Sequence, residues 1–418
     1  MRIWLVKDLE PIPGDAGDPR LLRAAMLSEA LAQRGHDVSW ITSTFDHYAK
    51  QHRVAGSETR ILSDNYRVEI LRAPGYRSNI SPLRIWHNRC FARSFLDFAA
   101  SSRERPDVIV TDIPTTETAE AAIRVARRWN IPSLLSIRDL WPDFFKDFVS
   151  PPLRPFLTVP VMHFERQASY ACRNATAIVG ISPKYLEWGL SKGKRNRGEL
   201  DAIIPLGYQP LPVSRHEAER TRRQLQSKGV NFEKRLVTFV GSWGKTCDLD
   251  VVLAAARLLI PRNDLQFVLA GDGDQRAALM SSLADSPNVI APGWLNARQV
   301  TTLLKASELG LLPYRETAPQ GLPNKIFEYM AHGTFQISTL EGEAASLLRS
   351  LKAGETTTPG DGQAMSAAII RALDNKNIQE ERGRIQERFL MQYSSDVVYD
   401  ALIDRIEVLH KHPSIPNL

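Results

Sequence analysis

Two patterns of apolar residues alternate along the chain. Short continuous runs rich in β-branched residues are separated by stretches in which apolar residues recur every three or four positions. Continuous runs are typical of parallel strands covered on both faces, and the spaced pattern is typical of helices. In the first half the predicted strands are RIWLV at 2–6, VSWIT at 38–42, DVIVT at 107–111, SLLSI at 133–137 and AIVGI at 177–181.

The alternation begins again near residue 235, which predicts an α/β fold of two Rossmann-like, doubly wound domains facing each other across a cleft. We expect one domain over 1–207, a second over 208–385, and a C-terminal helical segment, 386–418, that packs back on the first. The final helical pattern runs from Ile378 to Leu409. The predicted strands of the second array are RLVTFVG from 235, LQFVLAGDG at 265–273, NVIAPG at 288–293, LGLLPY at 309–314 and FQIST at 335–339.

The composition is that of a globular protein, with 43% hydrophobic and 24% charged residues. Three cysteines, Cys90, Cys172 and Cys247, lie far apart without a CxxC pair, so neither a disulfide framework nor a zinc site is indicated. The apolar stretch 148–164 contains Arg154 and four prolines, which argues against a spanning helix. We expect a cytoplasmic protein whose first residues form a strand rather than a signal peptide.

The chain is basic, with a formal net charge of +6 and a pI of about 9.2. This favours anionic partners, which include phosphates, nucleic acid and anionic lipid. A nucleic-acid partner is not expected, because the basic cluster at 192–197 has no aromatic residues spaced to stack on bases.

The loops after the predicted strands are the places to look for a ligand, because helix N-termini at that edge attract anions. Gly14 and Gly17 follow the first strand in a turn that lacks the GxGxxG spacing of a dinucleotide site, and a plain surface turn is the alternative. Gly241 begins the loop GSWGK, from which Lys245 would reach a diphosphate. A solvated lysine is the competing interpretation there.

The segment 320–333, QGLPNKIFEYMAHG, predicts a helix that begins at Pro323 or Asn324. Its N-terminus is suited to a phosphate. Lys325 and Glu328 are three residues apart and share a face, so the lysine would hold phosphate and the carboxylate a sugar diol. An intrahelical salt bridge between them is the alternative.

This segment, followed by an apolar strand, is very similar to the motif helix of glycosyltransferase family 4, which comprises retaining enzymes of the GT-B fold. RPDVIVTDIP, SIRDLWPD and FERQASYACRNATAIVGIS resemble the branch that builds bacterial O-antigen, capsule and exopolysaccharide on a polyprenyl carrier. The resemblance implies that 1–207 binds the acceptor and 208–385 binds a nucleotide sugar. The strand-end positions and the resemblance together give the candidate donor-binding residues Gly14, Gly17, Gly241, Lys245, Trp294, Gly321, Leu322, Pro323, Asn324, Lys325 and Glu328.

The family's donor motif has two glutamates separated by seven residues, and its cleft carries a His-Asp pair. Glu328 matches the second glutamate, which usually binds ribose hydroxyls, whereas the first falls on Gln320. The His-Asp pair falls on Arg138 and Asp139, where the arginine would anchor a donor or acceptor phosphate. The resemblance therefore makes Arg138, Asp139, Gln320 and Glu328 the candidate catalytic residues.

The two basic residues that usually hold the pyrophosphate in this family fall on Ser242 and Cys247. We expect Lys245 and Lys325 to replace them. Trp294 matches a loop that lines the nucleobase pocket in the family, with core packing as an equal alternative.

On the acceptor side, Asp46 and His47 follow the second strand, and a solvated loop is the alternative for His47. Aromatic residues and arginines alternate over 81–98, a combination suited to an anionic membrane surface, although core packing of the apolar face is equally expected. The chain would then act on the inner face of the cell membrane.

The sequence therefore predicts a retaining, metal-independent hexosyl- or N-acetylhexosaminyl-transferase without a cofactor. Its donor would be a nucleoside-diphosphate sugar, with UDP favoured by family resemblance, and its acceptor a glycan or a polyprenyl-diphosphate-linked sugar. Asp248 and Asp250, the nearest approach to a DxD metal motif, fall at a predicted helix start. A nucleotide-sugar epimerase of the same fold and a degenerate, non-catalytic sugar-nucleotide-binding protein are the alternatives.

Overall fold

The computed structural model describes residues 1–16, 21–79, 81–143, 154–318 and 321–411. Contacts divide the chain into two compact units. Unit 1 comprises Met1–Pro205 and Val398–Leu418, and unit 2 comprises Leu206–Val397.

Unit 1 is built on an eight-stranded sheet in the order β10-β9-β8-β7-β1-β2-β6-β5, beside a short β3-β4 hairpin. All neighbours in the large sheet are parallel except β5, which pairs antiparallel with β6. The strands are β1 (Arg2–Val6), β2 (Asp37–Ser43), β3 (Phe45–Asp46), β4 (Gln51–His52), β5 (Glu58–Ser63), β6 (Tyr66–Leu71), β7 (Val108–Ile113), β8 (Ser133–Ile137), β9 (Ala177–Gly180) and β10 (Ala202–Ile203). The helices of its first segment are α1 (Arg23–Gln33), α2 (Pro82–Ser101), α3 (Thr116–Trp129), α4 (Arg154–Asn174) and α5 (Pro183–Gly193).

Successive side chains of a strand point to opposite sides of the sheet, and in the central strand β1 of unit 1 both sides are buried. Ile3 and Leu5 of β1 belong to one core cluster, which also contains residues of α1. Trp4 and Val6 belong to another, which contains residues of α2 and α3. The continuous apolar runs in the sequence follow from this two-sided burial.

Unit 2 is built on a six-stranded parallel sheet in the order β13-β12-β11-β14-β15-β16. Its strands are β11 (Arg235–Val240), β12 (Leu265–Ala270), β13 (Val289–Gly293), β14 (Ser307–Leu312), β15 (Phe335–Ser338) and β16 (Gly354–Thr356). Its helices are α6 (Arg215–Ser227), α7 (Leu249–Leu258), α8 (Arg276–Ser282), α9 (Ala297–Ala306), α10 (Asn324–Ala331), α11 (Glu343–Ser350), α12 (Gly362–Leu373) and α13 (Ile378–Gln392).

The sheet of unit 2 also separates two cores. Val237 and Phe239 of β11 pack in a cluster with residues of α7 and α12, whereas Leu236 and Val240 pack in a cluster with residues of α9 and α10. The predicted fold class, two Rossmann-like α/β arrays with helices on both faces of each sheet, is confirmed.

The helical pattern expected over 378–409 forms two helices, because α13 ends at Gln392 and α14 (Ser395–Lys411) begins after a break of two residues. The backbone of Tyr208 accounts for the break. Its N–H donates to Tyr393 O at 3.1 Å and its carbonyl accepts from Ser395 N at 3.1 Å. From Val398 onward α14 belongs to unit 1, where residues such as Leu402 join the core of α1.

Candidate functional site

The helix α10 begins where the sequence predicts, directly after Pro323. No side chain caps its first turn, so amides there point out of the helix without an intrahelical acceptor. Asn324 is exposed, and the three residues before it, Gly321, Leu322 and Pro323, are partly exposed. The helix ends before Gly333, whose φ of +64° is the left-handed conformation common after a helix.

The side chain of Lys325 lies in an aromatic niche at the end of β11. Its Nζ is 4.3 Å from the ring centre of Phe239 and 5.8 Å from that of Tyr314. Burial lowers the pKa of this amine, against the attraction of Cys247 and Glu328. Among the described residues no hydrogen bond or ion pair holds the amine, so the intrahelical salt bridge with Glu328 is not formed.

Gly241 makes this position of Lys325 possible. A Cβ on residue 241 would lie 2.2 Å from both Cε and Nζ of Lys325, and the φ of +148° at Gly241 also favours glycine. Gly271 is constrained in the same region, because a Cβ there would lie 1.9 Å from Gly241 O. The loop after β11 thus brings backbone without side chains next to the half-buried amine of Lys325, an arrangement that lets an anionic ligand approach closely.

Glu328, one turn further along α10, is held in place by Tyr208. The Tyr208 hydroxyl donates to Glu328 Oε1 at 3.1 Å. The tyrosine ring packs edge-on against His332 and Phe389, with centroid distances of 6.2 and 6.3 Å. His332 Nδ1 in turn lies 2.7 Å from the carbonyl oxygen of Glu328. Sequence reasoning did not find Tyr208, because only folding brings positions 208 and 328 together.

The remaining donor-side candidates lie at the surface of unit 2. Lys245 is exposed, and no described residue pairs with it. Trp294 follows Gly293 at the end of β13 and is 67% exposed, so core packing is excluded as its role. Asp248 caps α7 by accepting from Val251 N at 3.4 Å, as its place at a helix start suggests.

In unit 1, Arg138 lies at the end of β8 in a network of buried charges. Its Nη1 donates to Glu10 Oε1 at 2.6 Å and to Asp112 Oδ2 at 3.0 Å. Lys7 completes the network, with its Nζ 2.8 Å from Asp112. Beside it, burial raises the pKa of Asp139. The sequence indicated Arg138 and Asp139 as candidates but did not indicate the charged residues around them. Two of these residues, Lys7 and Glu10, lie in the segment that follows β1.

The residues after β2 form a second polar group in unit 1. Asp46 accepts from the amides of Tyr48 and Ala49 at 2.7 and 2.9 Å, so its carboxylate stabilises a turn. His47 is half-buried, with Nδ1 bonded to the Tyr76 hydroxyl, rather than free in a solvated loop. Burial, followed by the charge of Lys50, lowers the pKa of His47 to about 4, so the imidazole is neutral at physiological pH.

The same unit contains a fully buried histidine, His87, which the sequence did not indicate as a candidate. His87 Nε2 is 2.7 Å from Asp8 Oδ2, and its Nδ1 is 2.5 Å from the carbonyl oxygen of Pro74. Burial alone lowers the pKa of His87, but the charge and hydrogen bond of Asp8 outweigh it, and the pKa is raised. Both ring nitrogens face acceptors, which requires the doubly protonated ring.

Gly14 turns the chain after β1 with a φ of +81°, and a Cβ there would lie 3.3 Å from Nη1 of Arg60. Gly17 and Gln320 lie outside the described residues. Within the described ranges no three histidine, cysteine, aspartate or glutamate side chains are grouped as metal ligands. No helix in those ranges is long and apolar enough to cross a membrane.

Two tandem Rossmann-like units define the GT-B class, and solved structures with this fold match the chain over nearly its full length. Sucrose-phosphate synthase from Thermosynechococcus elongatus is 18% identical, with a TM-score of 0.71 and 98% of both chains covered. HepE of Anabaena in complex with UDP is 16% identical, with a TM-score of 0.67 and 98% of this chain and 100% of that chain covered. WaaG, described as a glycosyltransferase involved in lipopolysaccharide biosynthesis, is 16% identical, with a TM-score of 0.64 and 97% and 99% covered.

Family models match both halves of the sequence. A model described as glycosyl transferases group 1 matches residues 234–375, and one described as a glycosyl transferase 4-like domain matches residues 22–198. No curated protein sequence matches the chain. The two models and the fold together identify the chain as a glycosyltransferase of the GT-B type.

Proposed function

We propose that this chain is a retaining, metal-independent glycosyltransferase that moves a hexosyl or N-acetylhexosaminyl group from a nucleoside-diphosphate sugar, with UDP as the nucleotide. The acceptor is a glycan or a polyprenyl-diphosphate-linked sugar in bacterial surface polysaccharide synthesis. The observation that carries the donor assignment is the half-buried amine of Lys325 beside Gly241, at the start of α10.

The chemistry of the donor explains why such an amine is needed. As the bond between the sugar C1 and the diphosphate oxygen breaks, negative charge grows on the diphosphate. A preorganised cation and the amides of a helix N-terminus stabilise that charge, and they are more effective where water is excluded. Lys325 and the first turn of α10 supply both, and Lys245 adds a positive charge at the surface. These cations stabilise the charge of the leaving diphosphate, as a divalent metal does in other transferases.

Glu328 is the proposed partner of the ribose hydroxyls. A carboxylate accepts hydrogen bonds from a vicinal diol, and the bond from Tyr208 fixes the orientation of this carboxylate. The structures of Anabaena HepE in complex with UDP and with UDP-glucose support the choice of UDP, since the fold is shared. Trp294, exposed at the end of β13, is proposed to stack on the base.

The acceptor is assigned to unit 1, where Arg138, Asp139, Asp46 and His47 lie after the strands β8 and β2. The resemblance to family 4 supports retention, in which the acceptor hydroxyl attacks on the face that the diphosphate leaves. The hydroxyl proton then passes to the departing diphosphate oxygen, so that no protein nucleophile is needed. The description of WaaG supports a lipid-linked acceptor.

Contact with an anionic membrane is proposed for the outer face of α2. Phe91 and Phe95 are buried in the core, whereas Leu83 and Trp86 are 56% and 57% exposed on the first turns. Arg89 is exposed further along the same face. An exposed tryptophan and leucine beside a basic residue suit insertion at the headgroup level.

Flotation with anionic vesicles tests the membrane contact. We expect the wild-type protein to float with the vesicles and Trp86→Ser to remain at the bottom. Leu258→Ser, which removes an exposed leucine of unit 2, should float like the wild type. Equal flotation of Trp86→Ser and the wild type would refute the assignment.

Calorimetric titration with UDP and GDP tests the donor site, with Lys325→Met and Glu328→Ala as variants. We expect UDP to bind the wild type and both variants to lose most of the affinity. Turnover of the UDP-sugar should require an acceptor glycan. Absence of any nucleotide binding would favour the degenerate, non-catalytic protein, and isomerisation of the sugar nucleotide without an acceptor would favour the epimerase.

A further inference from the structure

Unit 1 contains a small cavity at the ends of β1, β7 and β8. Its free volume is about 30 Å³, which is enough for one or two water molecules or ions of similar size. Leu402 of α14 forms part of its wall, as do the apolar side chains of Leu27 and Leu134. The polar groups that line it are Lys7, Arg23, Thr111, Asp112, Ser136 and Arg138.

Two polar side chains in this wall lack a partner. Arg23, the first residue of α1, is 8% exposed, and neither of its terminal nitrogens, Nη1 and Nη2, has a hydrogen-bond partner among the described residues. Within the same ranges the buried hydroxyl of Ser136 in β8 also has none. A buried polar group without a hydrogen bond costs about 1–3 kcal/mol, and more when it is charged. A hydrogen-bond acceptor inside the cavity would therefore stabilise both groups.

Of the three basic side chains that line the cavity, Arg23 alone has no ion pair among the described residues. Lys7 and Arg138 share the carboxylates of Glu10 and Asp112 at 2.6–3.9 Å, so these four groups neutralise one another. Glu10 and Asp112 also attract Arg23, but neither they nor any other carboxylate of the described residues lies within ion-pair distance of it. Burial, followed by the charge of Arg138, lowers the pKa of Arg23 only to about 10, so the guanidinium stays charged at neutral pH.

We propose that this cavity binds one small monovalent anion, of the size of chloride, between the guanidinium of Arg23 and the hydroxyl of Ser136. The anion accepts hydrogen bonds from both groups and supplies the missing negative charge. A halide, which is little larger than a water molecule, matches the free volume of about 30 Å³. A water would satisfy the hydrogen bonds but not the charge.

Crystals of the wild-type protein grown in sodium bromide provide the direct test. We expect an anomalous peak within hydrogen-bond distance of Arg23 Nη1 or Nη2 and of Ser136 Oγ. Ordered solvent without anomalous signal at this place would mean that water occupies the cavity, and the proposal would be overturned.

Thermal unfolding in sodium chloride and in sodium gluconate, at equal ionic strength, provides the test in solution. At a chloride concentration ten times its dissociation constant, the wild-type unfolding temperature should rise by about 3 to 6 °C over that in gluconate. Arg23→Met should abolish this difference and Ser136→Ala should reduce it. Arg34→Met removes an equal charge at the residue that follows α1, where Arg34 pairs with Asp400 and Asp404 at the surface, and should keep the full difference.

A chloride effect that survives in Arg23→Met, or that is absent from the wild type, would contradict the proposal. If Arg23→Met does not fold, the bromide crystals and the Ser136→Ala comparison decide the question. None of these measurements depends on glycosyl transfer, so they stand apart from the proposed function.

Discussion

Replacing Gly241 by alanine should weaken UDP binding because the new methyl group displaces the side chain of Lys325. The new Cβ would lie 2.2 Å from Cε and Nζ of Lys325, and the flexible end of that side chain is the part that must move. Loss of a charged hydrogen bond costs about 1.5–3 kcal/mol, so UDP affinity should fall about ten- to hundredfold. The φ of +148° adds backbone strain of about 1–3 kcal/mol, which lowers the unfolding temperature by a few degrees.

A double-mutant cycle separates the two effects. Calorimetry with UDP is run on Gly241→Ala, Lys325→Met and the double variant. If the alanine acts by displacing the amine, the double variant should bind UDP no more weakly than Lys325→Met alone. Gly229→Ala is the matched control, because its φ of +95° imposes similar strain while its Cβ meets only Ile290 at 3.7 Å. Additive losses in the cycle, or wild-type affinity in Gly241→Ala, would refute the reasoning.

Three further predictions follow from the candidate sites. Tyr208→Phe removes the bond to Glu328 and should raise the KM for the donor about three- to tenfold while kcat stays nearly constant in steady-state assays. His87 has a raised pKa, so its stabilising effect is complete below about pH 6.5 and is lost as the pH rises through its folded-state value. The unfolding temperature of the wild type should therefore fall as the pH is raised from 6, and that of His87→Gln should not. Parallel dependence of the two unfolding temperatures on pH would contradict the assignment. Treatment with EDTA should leave the transfer rate unchanged, and a rate restored only by added Mg²⁺ or Mn²⁺ would disprove metal independence.

The fold was largely predictable because each strand carries its own burial signal. The run RIWLV is apolar at every position since Ile3 and Trp4 face different cores, and this two-sided burial is specific to covered parallel sheets. The hairpin of β5 and β6 was not predicted, because β5 lacks this burial signal. The strand β5 lies at the sheet edge and is largely exposed, so its sequence lacks an apolar run.

The candidate donor site was partly predictable. The start of α10 and the shared face of Lys325 and Glu328 follow from local spacing along one helix. The aromatic niche of Phe239 and Tyr314, and the hydrogen bond from Tyr208, join positions far apart in the chain. No local pattern marks such partners.

The sequence by itself determined the two α/β arrays, the strand-end loops and the motif helix, because periodicity and turn residues act over a few neighbouring positions. Only the tertiary structure decided which charges are paired. Lys7, Glu10, Asp112 and Arg138 come from three separate strand ends and form ion pairs with one another, while Arg23 is buried without an ion pair in the part of the chain that the structure describes. The state of a buried charge depends on every group packed around it, and packing among distant segments is settled only when the chain has folded.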